Sequence, residues 1–223
     1  MVGPKSRKGA RSRARLLDAA RQVFEDAGFR EARVSDIAQG AGLSHGSFYH
    51  YFDSKEQVFR EVAEAQEALL SAPPDGAGDA EPEELTKFER IRRANRLYLE
   101  RYRASSRIMG VIEEVARYDG HVHEARMRRQ KELTDRAERA IRRLQRDGDA
   151  DPAVDPEIAA LALGSMVTRV AELWLVEHWG DYDLDAVADQ VTLLWVKAIG
   201  LDVGQPSGAN RSTELPSGSR TSA

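Results

Sequence analysis

In a chain without cysteine, polar chemistry falls to histidines, carboxylates, hydroxyls and arginines, and here they concentrate in three places. The first is GLSHGSFYHYFDSKEQVF, residues 42–59, where His45, His50, Phe48, Tyr49, Tyr51 and Phe52 lie among serines and glycines. A core strand would alternate polar with apolar residues, and a buried helix would favour aliphatics. Outward donors beside inward rings suit a surface that grips phosphates and reads base edges. The second is DGHVHE, residues 119–124, whose Asp119, His121, His123 and Glu124 form the best metal candidate. The two rings of His-x-His share one side of a strand but stand about 200° apart on a helix. A loop could still bring them to one ion, although a plain surface turn is the expectation, with no metal and no cofactor. The third is Arg169 with Glu172, inside the apolar run LALGSMVTRVAELWLVEHW. A buried charge needs a partner. Arg169 either meets the anionic group of a small effector or pairs with Glu172, or with Glu113 or Glu114; the i,i+3 partner is nearest to hand.

No Gly-rich phosphate loop follows a strand, and no nucleophile elbow or pair of set-apart carboxylates occurs, so catalysis is not expected. The 223 residues are 31% charged and 41% apolar, with a mean hydropathy of −0.54. That balance fits a folded helical protein rather than a disordered one. No run looks long enough to cross a bilayer, and no apolar stretch follows the basic start, so a cytoplasmic protein with no membrane association is expected. The net charge of −4 is unevenly spread. Residues 1–60 carry 11 Lys and Arg against 7 Asp and Glu, and the remainder 22 against 30. A basic end on an acidic body points to a polyanionic partner for that end.

Helical periodicity places these groups. Leu16, Leu17, Ala20, Val23, Phe24 and Ala27 recur on one helix that Gly28 stops. Val34, Ile37, Ala38 and Ala41 mark a second, short helix. Ser44 caps a third, and Asp53 or Ser54 caps a fourth. Arg33 cannot cap, so Ser35 is expected to be able to shift the start of the second helix. Four helices in 70 residues, the middle two joined by a few residues, have helix-turn-helix spacing. Residues 71–84, rich in proline, glycine and acids, should be a break. Further helices are expected over 85–103, 105–118, from about Glu124 to Arg146, 156–179 and 184–201. Residues 126–146 are read as a solvated amphipathic helix. Residues 1–11 are expected to be a disordered basic arm, 12–60 a first helical unit, 61–202 a second, and 203–223 a disordered tail.

Phe24, Gly28, Ile37, Ala38, Ala41, Gly42, Ser44, Gly46, Ser47, Phe48, Tyr49, Tyr51, Phe52, Ser54 and Lys55 together resemble the DNA-binding domain of the tetracycline-repressor (TetR) family of transcription regulators. The resemblance implies an all-α protein: an N-terminal three-helix domain with a helix-turn-helix, then a helical bundle that binds a ligand and dimerises through its last two helices. It makes residues 12–60 the DNA-binding unit and 61–202 the effector-binding and dimerisation unit. It implies double-stranded operator DNA as partner, with Arg33, Ser44, His45, Gly46, Ser47, Tyr49, His50 and Lys55 on the DNA face. Arg33 stands where the family usually has Ser or Thr, and His45 where it commonly has Lys; a histidine contact weakens as pH rises. The expected protein is a repressor that leaves a palindromic site when an aromatic or lipid-like effector binds; the alternatives are a metal-responsive or effector-free helical regulator, or an activator. Tyr98, Tyr102, Met109, Ile112, Met166, Arg169 and Trp174 are the candidate pocket, though Met and aromatic residues at helical spacing serve more often as plain core. Leu173, Val187, Val191, Leu194 and Trp195 are the candidate homodimer face.

Overall fold

The structure, a computed structural model, describes residues 7–73 and 85–202, and among these all regular structure is helical. The helices are α1 (Arg7–Glu31), α2 (Val34–Gly40), α3 (His45–Phe48), α4 (Lys55–Ser71), α5 (Lys87–Ala104), α6 (Ser106–Val115), α7 (Gly120–Arg146), α8 (Pro156–Leu175) and α9 (Leu184–Ala198). Side chains close most N-termini: Ser44 accepts from the Ser47 amide, Ser54 from Gln57, Asp119 from His121 and Val122, and Asp155 from Ile158. Thr86 and Glu89 form a reciprocal capping box on α5. Each such cap contributes about 1 kcal/mol.

Several boundaries differ from expectation. Residues 7–11 belong to α1 rather than to a disordered arm, and helical structure continues for one turn past the break at Gly28 (φ +73°). Arg33 makes no cap bond, yet α2 still begins at Val34; the Ser35 hydroxyl donates to Asp36 instead of starting the helix. α7 starts at Gly120, four residues early, because Asp119 supplies the cap. α8 ends at Leu175, which leaves Trp179 beyond it and 73% exposed. The expected tail, 203–223, and most of the expected break, 74–84, lie outside the described residues.

The N-terminal head closes over Leu16, Ala20 and Phe24 of α1, Ile37 and Ala38 of α2, Phe48 of α3, Phe52, and Val58 and Phe59 of α4, all buried. Phe59 meets Phe24 and Phe29 edge-on, each at 4.9 Å between ring centres. Burying each large apolar side chain contributes about 1.5–3 kcal/mol, which makes these residues the main hold between the helices of the head. α4 passes unbroken through the expected boundary at residue 60. Its first turns pack on α1, and its later turns lie against α7 and α5.

In the body, α8 packs on α7 and α9 on α5. Arg92 pairs with Asp185 and Asp189, Arg96 with Asp185, and Asn95 donates to Thr192, fastening α5 to α9. α8 turns Ala160, Leu163, Val167, Ala171 and Trp174 inward, while Ile158 and Leu161 remain exposed. With 20 residues and a mean hydropathy of 1.5, α8 is long and apolar enough to cross a membrane, which corrects the sequence reading on that point. Here it lies within the helical body, against α7, α5, α6 and α9.

Candidate nucleic-acid interface and buried polar core

The turn before α3 depends on Gly42. Its φ is +62°, and the Arg15 guanidinium occupies the place of a Cβ, 2.5 Å from where that atom would stand. Any side chain there would be strained and would displace Arg15. Ser44 then spends its hydroxyl on the Ser47 amide and hydroxyl, at 3.2 and 2.7 Å. Phe48 and Phe52 face inward with centroids 5.6 Å apart, and Arg13 lies over Phe52 while paired with Glu61. The consequence is an outward face of His45, Gly46, Tyr49 and His50. All four are exposed, and the His45 ring sits edge-on to Tyr49 at 5.4 Å. Arg33 is also exposed, as are Arg7, Lys8 and Arg11 on the first turns of α1.

Lys55 is not available to phosphate in this arrangement. Its ammonium donates to the carbonyls of Phe29, Arg30 and Ala32 at 2.8, 3.1 and 3.0 Å, which uses all three hydrogens. It also lies 4.7 Å from the Phe29 ring centre. The lysine therefore closes the C-terminal end of α1 from the first turn of α4, a cation against otherwise free carbonyls.

The body holds a second concentration of polar groups. Arg129 of α7 is 3% exposed; its Nη1 donates to the Tyr98 hydroxyl at 2.9 Å, and its Nε lies 2.8 Å from Glu67 Oε2 on α4. The distance makes an ion pair, but the N–H is not aligned as a hydrogen bond, and neither Glu67 oxygen accepts one. Burial pushes the Glu67 carboxyl up against the pull of Arg129 and Arg126. Burial likewise opposes the charge on Arg129, but Tyr98 and Glu67 outweigh it. Beside this pair, the buried Tyr102 hydroxyl donates to Glu113, whose carboxyl burial pushes up to about 7. Glu172 bridges onward to Arg169 at 2.6 Å.

Of the expected pocket residues, Tyr98 and Tyr102 enter this core with ring centres 6.0 Å apart. Met109 and Ile112 are fully buried, Met166 is half-buried, and Trp174 packs against Tyr182. Arg169 is corrected: its side chain is 56% exposed and paired with Glu172, so it is not a buried counter-ion. Val191 and Trp195 are corrected as well, because both are buried within the subunit, at 3% and 7% exposure; Leu173 and Val187 are half-buried, and Leu194 is 54% exposed. His121 and His123 both sit in the first turn of α7, where helical geometry separates the rings, and no cluster able to hold a metal is found among the described residues.

Sequence reasoning missed Arg129 and Glu67 although a signal existed. Val122, Ala125, Arg129 and Leu133 share the inward stripe of α7, and Phe59, Ala63, Glu67 and Leu70 that of α4. A charge on an apolar stripe is the mark of a buried ion.

A short exposed helix after a glycine turn, packed on α2 and joined through α4 to a helical body, is a helix-turn-helix arrangement. Residues 16–62 match the model of bacterial regulatory proteins of the tetR family, and residues 84–199 that of the tetracyclin repressor-like C-terminal domain. The chain belongs to the TetR family of bacterial transcriptional regulators. It is 48% identical over 50 residues to the HTH-type transcriptional repressor KstR2 of Rhodococcus jostii, a match covering 22% of this chain and 24% of that one. The alignment thus spans about a quarter of that relative. HTH-type transcriptional regulator TtgR of Pseudomonas putida is 24% identical over 206 residues, which cover 83% of this chain and 95% of TtgR. Among solved structures, the regulator FadR from Bacillus subtilis in complex with stearoyl-CoA superposes with a TM-score of 0.67 at 18% identity, covering 83% of this chain and 98% of that one. Such a likeness is one of fold.

Proposed function

We propose that this regulator is a homodimeric, ligand-responsive repressor that binds a palindromic operator through α3 and its neighbours and releases it when a small effector enters the body. One observation carries the reading. α4 is a single helix whose first turn holds the end of α1 through Lys55 and whose later turn holds Glu67 against Arg129. Any ligand that moves the buried pair moves an element fixed to the head, and its effect equals its differential affinity for the two arrangements. Further links join head and body: Arg60 to Asp119 at 2.9 Å, Arg107 to Asp26 at 2.8 Å and Arg30 to Glu114 at 3.5 Å.

His45, Tyr49 and His50 would meet the major groove, with Gly46 allowing close approach, Ser44 and Ser47 at the rim, and Arg33, Arg7, Lys8 and Arg11 on phosphates. Lys55 supports this face from behind. The exposed Ile158 and Leu161 of α8 and Leu194 of α9 give a second copy an apolar surface. The repressor named among the relatives and the acyl-CoA complex of the same fold support repression and an effector with an apolar body.

Selection of sites from random duplex DNA at two salt concentrations tests the reading. The expected product is a palindrome whose half-sites lie about 34–36 Å apart, as two recognition elements of a two-fold dimer require. Salt-sensitive binding without sequence preference would refute it.

A further inference from the structure

We propose that the effector is an amphipathic carboxylate, a single acid group on an apolar body, and that its carboxylate takes the place of Glu67 on Arg129. This rests on the ligand-responsive reading above and adds the chemistry of the ligand and the contact it breaks.

Arg129 is the one cation among the described residues buried to 3% exposure, and it lies where α4, α5 and α7 meet. Its present partner serves it poorly, since Glu67 approaches Nε without aligned hydrogen bonds. Among the described residues, the buried nitrogens left without a partner include Arg129 Nε itself and, on the same helix, Arg126 Nε and Gln130 Nε2; the acceptors so left include both Glu67 oxygens, which confirms how poorly the present pair is matched. Buried donors without acceptors are costly, and an acceptor-rich group relieves them. A carboxylate offers two oxygens in the plane of the guanidinium, a geometry Glu67 does not reach from its position on α4. An amine would face Arg126 and Arg129, and an alcohol would bring one acceptor where several are wanted. Leu70, Leu99, Met109 and Ile112, all buried and within a few residues of the polar groups, suit an apolar body.

The exchange has a mechanical result. Glu67 lies twelve residues from Lys55 along α4, about 18 Å at helical rise. Once Arg129 is taken by the ligand, the later half of α4 loses its buried ion pair to α7 and keeps the outer contacts of Glu64 with Arg128 and of the Ser71 carbonyl with Arg136, while Arg60 and Asp119 still hold the first half of α4 to the start of α7. α4 is then able to pivot there and carry Lys55, and with it the end of α1.

The experiment uses the full chain and the operator recovered by selection, with thermal unfolding and operator anisotropy as readouts. The probes are octanoate, decanoate, dodecanoate and 2-naphthoate, each beside its alcohol and its amine. The expected result is that at least one acid raises the melting temperature and releases operator, with its alcohol and amine weaker by about tenfold, as loss of a charged hydrogen-bonding group predicts. Glu67→Gln, which frees Arg129, should bind that acid more tightly. Arg129→Gln should lose the preference for acid over alcohol. Because Arg129→Gln leaves Glu67 buried alone, E67L/R129L serves as a second variant: it should fold and, with melting temperature as the readout, also lack the preference. Equal binding of acid and alcohol, failure of every acid, or an undiminished acid preference in the Arg129 variants would overturn the proposal. If an alcohol or amine releases operator while acids do not, ligand-responsive repression survives and only the carboxylate assignment falls.

Discussion

Head and body are built from the same material, short and long amphipathic helices, but they place charge in opposite ways. In the head the core is aromatic and aliphatic, and its cations either face outward, as Arg33 does, or lie along its surface with partners, as Arg13 and Lys55 do. In the body, Arg129 and Glu67 sit at 3% exposure, with Glu113 and Tyr102 nearby. Apolar packing has one good arrangement and makes the head a rigid frame. A buried ion pair is held by partners that another ion can replace, so its arrangement is conditional. The contrast fits a division of labour in which the head presents a fixed surface and the body supplies the variable one.

The hardest test of that contrast is to remove one member of the buried pair. Arg129→Leu should destabilise the protein by about 3–5 kcal/mol in urea unfolding, because Glu67 is left charged and alone. E67L/R129L should recover most of the loss, since two apolar side chains need no compensation. A double variant as weak as the single one would mean that the two charges act independently, and the body would then be no more conditional than the head.

A smaller effect separates the regions by pH. In the folded body Glu113 holds its proton up to about pH 7, against an ordinary value of 4.5, with burial the main cause and Tyr102, Glu172 and Arg126 around it. The folded state therefore binds this proton more tightly than the unfolded one. The stabilisation is full below pH 4.5 and is lost as pH rises through 7, to the extent of roughly 1–3 kcal/mol. Glu113→Gln should flatten unfolding free energy over that window. At the head–body contact the sign reverses. Burial raises Asp119, but the bonds from Arg60 and from the Val122 and His121 amides outweigh it and hold the carboxyl low. Its contribution stands above pH 3.8 and fades only as pH falls below that. A sloping curve for Glu113→Gln between pH 5 and 8 would place the titrating group elsewhere.

These assignments show where the sequence was readable. Turn and cap signals in the head are local: Gly42, Ser44 and Ser54 act on residues within three or four positions, so pattern alone located α2, α3 and α4. Phe48 and Phe52, four apart, turned inward as their spacing required. In the body the meaningful partners are far apart in sequence, 62 positions for Glu67 and Arg129, and periodicity says which stripe a residue occupies but not what faces it. Arg169 looked buried because its neighbours are apolar, yet the stripe it occupies is the open side of α8. Trp195 looked like an interface residue for its size, but its side of α9 is covered within the subunit. Lys55 was placed correctly at the start of α4, while its role depended on how near the end of α1 comes, which no local pattern records.

The smallest expected effect concerns that lysine, and it sharpens the difference between residues that make the DNA face and residues that hold it up. Lys55→Met should cost about 1–2 kcal/mol of stability by freeing three carbonyls at the end of α1. Operator affinity should fall only as far as the face loses its support. The dependence of log affinity on log salt should stay as in the parent protein, because no phosphate contact is lost. Arg33→Met should do the opposite: little change in stability, with the magnitude of the salt slope reduced by about 0.9 for one phosphate. If Lys55→Met flattens the slope by that amount, the ammonium leaves the carbonyls for the DNA backbone on binding. The end of α1 would then be released at the moment the operator is engaged, and the head would share the conditional character assigned here to the body.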